Sequence, residues 1–129
     1  MITHTINNDY LDLPKLKEII ENKVELRLSE ESQLQINKCR QYLDQKMENT
    51  DHAIYGINTG FGSLYDKTIE KEDLSTLQLN LVKSHACGAG PEIPMEIVRL
   101  MLFLKAQSLS YGYSGVQLET VNRLLEQFN

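Results

Sequence analysis

A mainly α domain with a few short β-strands near its amino terminus is the fold class the sequence predicts. Three observations predict it. Leucine, isoleucine and valine recur at three- and four-residue spacings over most of the chain, Val24, Leu26 and Leu28 alternate with charged residues, and glycines gather where the helical period breaks down. The 129 residues are enough for one domain with a core, since domains commonly run to about 100–150 residues. A single domain over residues 1–129 is therefore expected.

Taken in order, Leu13, Leu16, Ile19 and Ile20 form a short helical stripe after Asp12, with Pro14 acceptable in a first turn. The Val24–Leu28 alternation is that of a half-buried strand. Ser29 is placed to cap a second helix with an acidic first turn at Glu30 and Glu31, and Ile36, Cys39, Leu43 and Met47 mark its inner face. From Asn49 to Lys67 no helical period survives, and Gly56, Gly60 and Gly62 indicate a loop. Leu74, Leu77, Leu81 and His85 follow at helical spacing, so His85 is expected on the inner stripe of a buried helix that Gly88 and Gly90 end. Pro91 and Pro94 frame the next start. Met95–Leu109 is almost wholly apolar, which predicts a helix covered on most sides. Leu118, Val121, Leu125 and Phe128 predict a last helix that carries no capping signal at Asn129. An apolar face beside a nearly all-apolar helix implies that further cover lies along a longer polypeptide or on another subunit.

Composition excludes several classes of function. A formal net charge of −5 and the lack of a Lys/Arg cluster argue against nucleic acid, which is bound by neutralising phosphates. No apolar run approaches the ~20 residues of a membrane span, so no membrane association is expected. Residues 1–7 lack the basic and then apolar regions of a secretory signal, which makes the cytoplasm the expected compartment. Cys39 and Cys87 are expected as free thiols, with Cys87 a small buried apolar residue. No metal is expected, because His4, His52 and His85 have no cysteine or carboxylate neighbours at ligand spacing. Gly60-Phe61-Gly62 lacks the third glycine of a dinucleotide fingerprint, and Gly56 to Gly60 lacks the ending of a phosphate loop. Gly112-Tyr113-Ser114-Gly115-Val116 has Val116 where a nucleophile elbow needs glycine, and no strand is expected before it.

Two segments remain, and each joins an ionisable side chain to a glycine-rich backbone. Tyr55-Gly56-Ile57-Asn58-Thr59-Gly60-Phe61-Gly62 puts a tyrosine at the edge of a loop that a small molecule can approach closely. Asn80-Leu81-Val82-Lys83-Ser84-His85-Ala86-Cys87-Gly88-Ala89-Gly90 puts a histidine at a helix end. Alone, each is ordinarily a packing tyrosine or a hydrogen-bonded core histidine.

Together, with Asp73-Leu74, Leu77-Gln78 and Ser114-Gly115-Val116, these segments resemble the histidine/phenylalanine ammonia-lyase family from about Ile54 to Leu125. Residues 1–50 resemble it only weakly. The resemblance implies the amino-terminal part of a larger helical lyase fold that eliminates ammonia from an aromatic L-amino acid. It also implies a 4-methylidene-imidazole-5-one group, made by cyclisation of an internal Ala-Ser-Gly. The β-proton of such a substrate is barely acidic, so an electrophile and a base are both required. By the resemblance Tyr55 is the base, in a loop shaped by Gly56, Asn58, Gly60 and Gly62. A free phenol is almost wholly protonated at pH 7 and reaching the phenolate costs about 4 kcal/mol. A completed site would have to favour that charge with a helix amino terminus or a cation.

Ser84 and His85 occupy the family position associated with substrate choice, where tyrosine- and phenylalanine-preferring relatives resemble His-Leu or Phe-Leu. Ser-His implies histidine, with His85 holding the substrate imidazole and trans-urocanate as product. A polar pocket of this kind rejects an apolar ring, because its buried polar atoms would be left unpaired.

No Ala-Ser-Gly occurs in these 129 residues, and the family is several hundred residues long and tetrameric. The chain is therefore expected to be an amino-terminal fragment of a homo-oligomeric enzyme, shortened by cloning, proteolysis or gene truncation, and inactive alone. Two other readings are a tyrosine or phenylalanine ammonia-lyase fragment and a small helical protein that associates through exposed apolar helices.

Overall fold

The computed structural model describes residues 2–22, 24–49 and 52–129. It is mainly helical with two short strands, as expected, in the order β1 (Ile2–Ile6), α1 (Leu13–Glu21), β2 (Val24–Leu28), α2 (Glu30–Glu48), α3 (Leu74–His85), α4 (Met95–Ser110) and α5 (Leu118–Phe128). Two single-turn 3-10 helices, Gly62–Leu64 and Lys71–Asp73, precede α3. The chain divides into two compact units, one of Met1–Asn49 with Glu92–Asn129 and the other of Thr50–Pro91.

In the first unit β1 and β2 pair in parallel, with Ile2 opposite Val24 and Ile6 opposite Leu28. Parallel strands need a crossover, and α1 supplies it. Asp12 caps α1 by accepting the Lys15 amide at 2.8 Å, and Pro14 lies in the first turn, where no amide is required. Strand β2 buries Val24, Leu26 and Leu28 in alternation, as its sequence predicts. Strand β1 has the same period in Ile2, His4 and Ile6, but its outer end is open to solvent.

Ser29 caps α2 as expected, its Oγ accepting the Ser32 amide at 3.1 Å. The Ser29 amide and the Ser32 hydroxyl both turn to the Ile6 carbonyl at the end of β1. Ile36 is buried on the inner face of α2, with Cys39, Leu43 and Met47 half-buried along it. The core gathers around Phe103 of α4, with Ile6, Ile19, Leu26, Ile36, Val121 and Phe128. A fully buried side chain of this size contributes about 1.5–3 kcal/mol relative to an exposed one.

Three polar clasps close this unit. Arg99 lays its guanidinium 3.9 Å over the Phe128 ring and donates to the Phe128 carbonyl at 2.9 Å. Gln107 donates to the Asn7 carbonyl at 2.7 Å, tying α4 to the exit of β1. The side-chain amide of Asn129 pairs with both the N–H and the carbonyl of Leu26, at 2.8 and 3.1 Å. It occupies the edge of β2 as a neighbouring strand would.

Helix α4 departs from the expectation of cover on most sides. Phe103, Ala106 and Leu109 are buried, but Met95, Ile97, Met101 and Leu104 are exposed. The reason is one-sided packing: within this unit α4 packs chiefly against α1, α2 and α5, and the four exposed side chains lie outside that packing. Between α4 and α5, Gly115 takes a φ of +66°, and a Cβ there would stand 2.7 Å from Leu43 Cδ2. Its amide bonds Cys39 Sγ at 3.2 Å. Ser114 thus sits in an interhelical turn with no strand before it, unlike the nucleophile of an elbow. No described helix is long and apolar enough to cross a membrane.

His4 packs edge-on against Phe103, ring centroids 5.7 Å apart. Its pKa is lowered from 6.5, first by burial and then by Lys15, with Glu18 opposing. Above 6.5 neither state binds the proton; below it the unfolded chain protonates while the fold resists, so stability falls as pH falls through that value. Urea midpoints measured against pH are expected to decline less steeply below 6.5 in a His4→Gln variant than in the wild type. Parallel curves would show that this imidazole does not contribute to the pH dependence.

Candidate functional site

Thr50 and Asp51 of the expected loop lie outside the described residues; from His52 onward the loop belongs to the second unit. At its head is a tight turn in which the Ile57 and Asn58 amides both donate to the Ile54 carbonyl, at 3.0 and 3.2 Å. Gly56 holds a φ of +77° in the third position of this turn, the place that a type II turn reserves for glycine. Tyr55 is therefore carried at the outer corner of the turn, and 64% of its surface is exposed. Its ring meets Phe61 edge-on at 6.2 Å.

The returning strand of the loop is short but well bonded. Thr59 and Thr68 form an isolated antiparallel bridge, flanked by Gly60 N–H to the Lys67 carbonyl at 3.0 Å and Ile69 N–H to the Asn58 carbonyl at 2.9 Å. Asn58, Thr59 and Gly60 are the buried residues here. The Asn58 side chain accepts the Ile54 amide at 2.6 Å and donates to the His52 carbonyl at 3.1 Å. Gly56 and Gly62 serve the loop through positive φ, in open space. Gly60 serves it through close approach, since a Cβ there would lie 2.6 Å from Leu64 Cβ and 2.8 Å from the Leu64 carbonyl oxygen.

Helix α3 carries the second segment. Leu74, Leu77 and Leu81 lie half-buried on one stripe, but no residue of α3 is buried. His85 is exposed, which corrects the expectation that it continues the inner stripe. The helix ends at His85, and the imidazole folds back along the last turn instead of inward. Its Nδ1 stands 2.9 Å from the Leu81 carbonyl oxygen, to which Ser84 Oγ also donates at 2.9 Å. Ser84 Oγ also stands 3.0 Å from this Nδ1, so the nitrogen meets a carbonyl that only accepts and a hydroxyl that can donate or accept. Cys87, expected to be buried, is exposed just beyond the end of α3. Among the described residues no group of three or more His, Cys, Asp or Glu side chains is arranged to hold a metal ion.

All seven residues singled out from the sequence, Tyr55, Gly56, Asn58, Gly60, Gly62, Ser84 and His85, belong to the same 50–91 unit. Thr59 was not singled out, although it is fully buried and holds the turn from within. Its signal was available in the run Asn58-Thr59 after Tyr55-Gly56, because Asn and Thr side chains commonly satisfy nearby turn amides.

The chain is similar to known lyases in sequence and fold. The family model for aromatic amino acid lyases matches residues 11–129. Histidine ammonia-lyase of Legionella pneumophila (strain Philadelphia 1) is 44% identical over 119 residues, 92% of this chain and 23% of its own length. Among solved structures, histidine ammonia-lyase from Trypanosoma cruzi matches 99% of the chain with a TM-score of 0.82 and 32% identity, over 25% of its length. Tyrosine aminomutase from Streptomyces globisporus matches 99% with a TM-score of 0.89 and 25% identity, over 24% of its length. The chain belongs to the aromatic amino acid lyase family and has the helical fold of its lyases and aminomutases. It spans about a quarter of the length of the relatives it matches.

The two loop glycines that differ in surroundings provide a test of this geometry. Gly60→Ala is expected to destabilise the loop by about 1–3 kcal/mol, since backbone as well as side chain must move. Gly62→Ala meets only the left-handed penalty of about 1–2 kcal/mol. Loss of the Ile69 amide protection in Gly60→Ala alone, read by hydrogen exchange, is the expected result. Equal protection in both variants would refute the close approach.

Proposed function

We propose that residues 1–129 form the amino-terminal domain of a histidine ammonia-lyase, whose reaction converts L-histidine to trans-urocanate and ammonia. Tyr55 is the base that takes the β-proton, and His85 with Ser84 binds the substrate ring. The observation that carries this reading is the Leu81–Ser84–His85 arrangement. In the tautomer that donates Nδ1–H to the Leu81 carbonyl, Nε2 is an acceptor for an imidazole N–H. A phenylalanine ring offers no donor to this acceptor, so the pair favours a ring that carries one, as histidine does. Membership of the aromatic amino acid lyase family and 44% identity to a histidine ammonia-lyase support the same assignment.

In such an enzyme a methylidene-imidazolone supplies the electrophile toward the substrate. The residues of this chain do not fit the making or enclosing of that group. They include no Ala-Ser-Gly, and the turn beside Tyr55 is open, a Cβ at Gly56 or Gly62 meeting nothing within 4 Å. The contribution of this chain is the proton acceptor and the ring contact. The electrophile, the remaining walls of the site and the partners in a homo-oligomer come from beyond these residues. A cytoplasmic location goes with this reading.

Purified 129-residue chain is expected to form no urocanate from L-histidine, as followed by ultraviolet absorbance. A chimera in which this chain replaces the matching segment of the Legionella pneumophila enzyme is expected to form it. Tyr55→Phe in that chimera should lower kcat by about 10²–10⁴-fold, the usual contribution of a positioned base, with KM little changed. Urocanate from the chain alone, or full kcat in the Tyr55→Phe chimera, would overturn the reading.

A further inference from the structure

Tyr55 stands at the outer corner of a turn with an exposed ring, yet a base must be held in place. A misplacement of about 1 Å can cost 10²-fold in rate. The backbone on either side of it is restrained by two side chains from the returning strand. Asn58 Oδ1 accepts the amide of Ile54, the residue before the tyrosine, at 2.6 Å. Thr59 Oγ1 accepts the amide of Gly56, the residue after it, at 3.3 Å, and donates its own proton to the Gly60 carbonyl at 3.0 Å.

These two side chains are themselves fixed. Asn58 is 5% exposed and Thr59 is fully buried; the Asn58 carbonyl accepts the Ile69 amide, and Thr59 lies opposite Thr68 in the bridge. The Asn58 amide also donates to the His52 carbonyl, so its orientation is set at both ends. Neither Ile54 nor Gly56 lies in a helix or strand, so without these acceptors their amides would have to find water. The phenol is thus braced on both flanks by groups that need never touch a substrate.

We infer that Asn58 and Thr59 are positioning residues for Tyr55, clamping the peptide groups before and after it so that the phenol is presented in one orientation. This rests on the reading of Tyr55 as the base, and it adds to that reading a reason for the Asn-Thr pair.

The test uses the valine that matches threonine in shape and the serine that keeps its hydroxyl. In the 129-residue chain, Thr59→Val is expected to raise exchange of the Gly56 amide by roughly tenfold, the scale of one net hydrogen bond, while the α2 and α4 amides are unchanged. Thr59→Ser is expected to restore slow exchange, and Asn58→Ala to release the Ile54 amide. In the chimera, Thr59→Val should lower kcat about tenfold with KM within about twofold, and Thr59→Ser should recover most of the loss.

Unchanged Gly56 exchange in Thr59→Val would overturn the clamp. So would a parallel collapse of kcat and KM in both Thr59 variants. Full kcat in Tyr55→Phe would defeat the role of the base alone, because the exchange measurement reads the clamp without reference to activity. If the chimera does not assemble, exchange in the chain decides.

Discussion

A turn that belongs to neither helix nor sheet must satisfy its backbone amides by other means, and the presentation of Tyr55 depends on how this one does so. The Ile54 carbonyl takes two amides, the Asn58 side chain takes a third and Thr59 a fourth. Gly56 makes the geometry possible, because a positive φ there is strained for any residue with a Cβ. Remove these and the phenol keeps its chemistry but loses its place. The rest of the 50–91 unit serves the same end: the Thr59–Thr68 bridge anchors the bracing residues, and the tight passage at Gly60 brings Leu64 against them.

The two units use their residues differently. The unit of residues 1–49 and 92–129 spends its apolar side chains on a shared core around Phe103 and closes it with Arg99, Gln107 and Asn129. In the 50–91 unit α3 has no buried residue, and its stability within the chain rests on local bonds. The same exposure leaves the His85 imidazole accessible, with the Leu81 carbonyl and the Ser84 hydroxyl both at its Nδ1. The uncovered Met95, Ile97, Met101 and Leu104 of α4 are consistent with a chain that spans about a quarter of its relatives' length.

Much of the fold was legible because local rules and packing agreed. Ser29 caps the helix it was expected to cap, and the Val24–Leu28 alternation became a strand. Strand β1 was not located individually, since Ile2, His4 and Ile6 give too short a period to stand out before its parallel partner is known. For α4 and His85, periodicity reported which residues share a face but not whether anything lies against that face. Tyr55, Ser84 and His85 were singled out only because several motifs resemble one family in order. The brace at Thr59 was not, because a buried hydroxyl that bonds its own turn leaves no periodic mark. Cys87 was expected to be buried as a small apolar residue, and it is exposed.

The central claim is that the phenol of Tyr55 and the imidazole of His85 act on one substrate. A crystal structure of the Legionella pneumophila chimera with an unreactive histidine analogue measures this directly. The account predicts the Tyr55 hydroxyl beside the analogue's β-carbon and His85 Nε2 within hydrogen-bonding distance of its imidazole. Either side chain on a surface remote from the ligand in every subunit would contradict it.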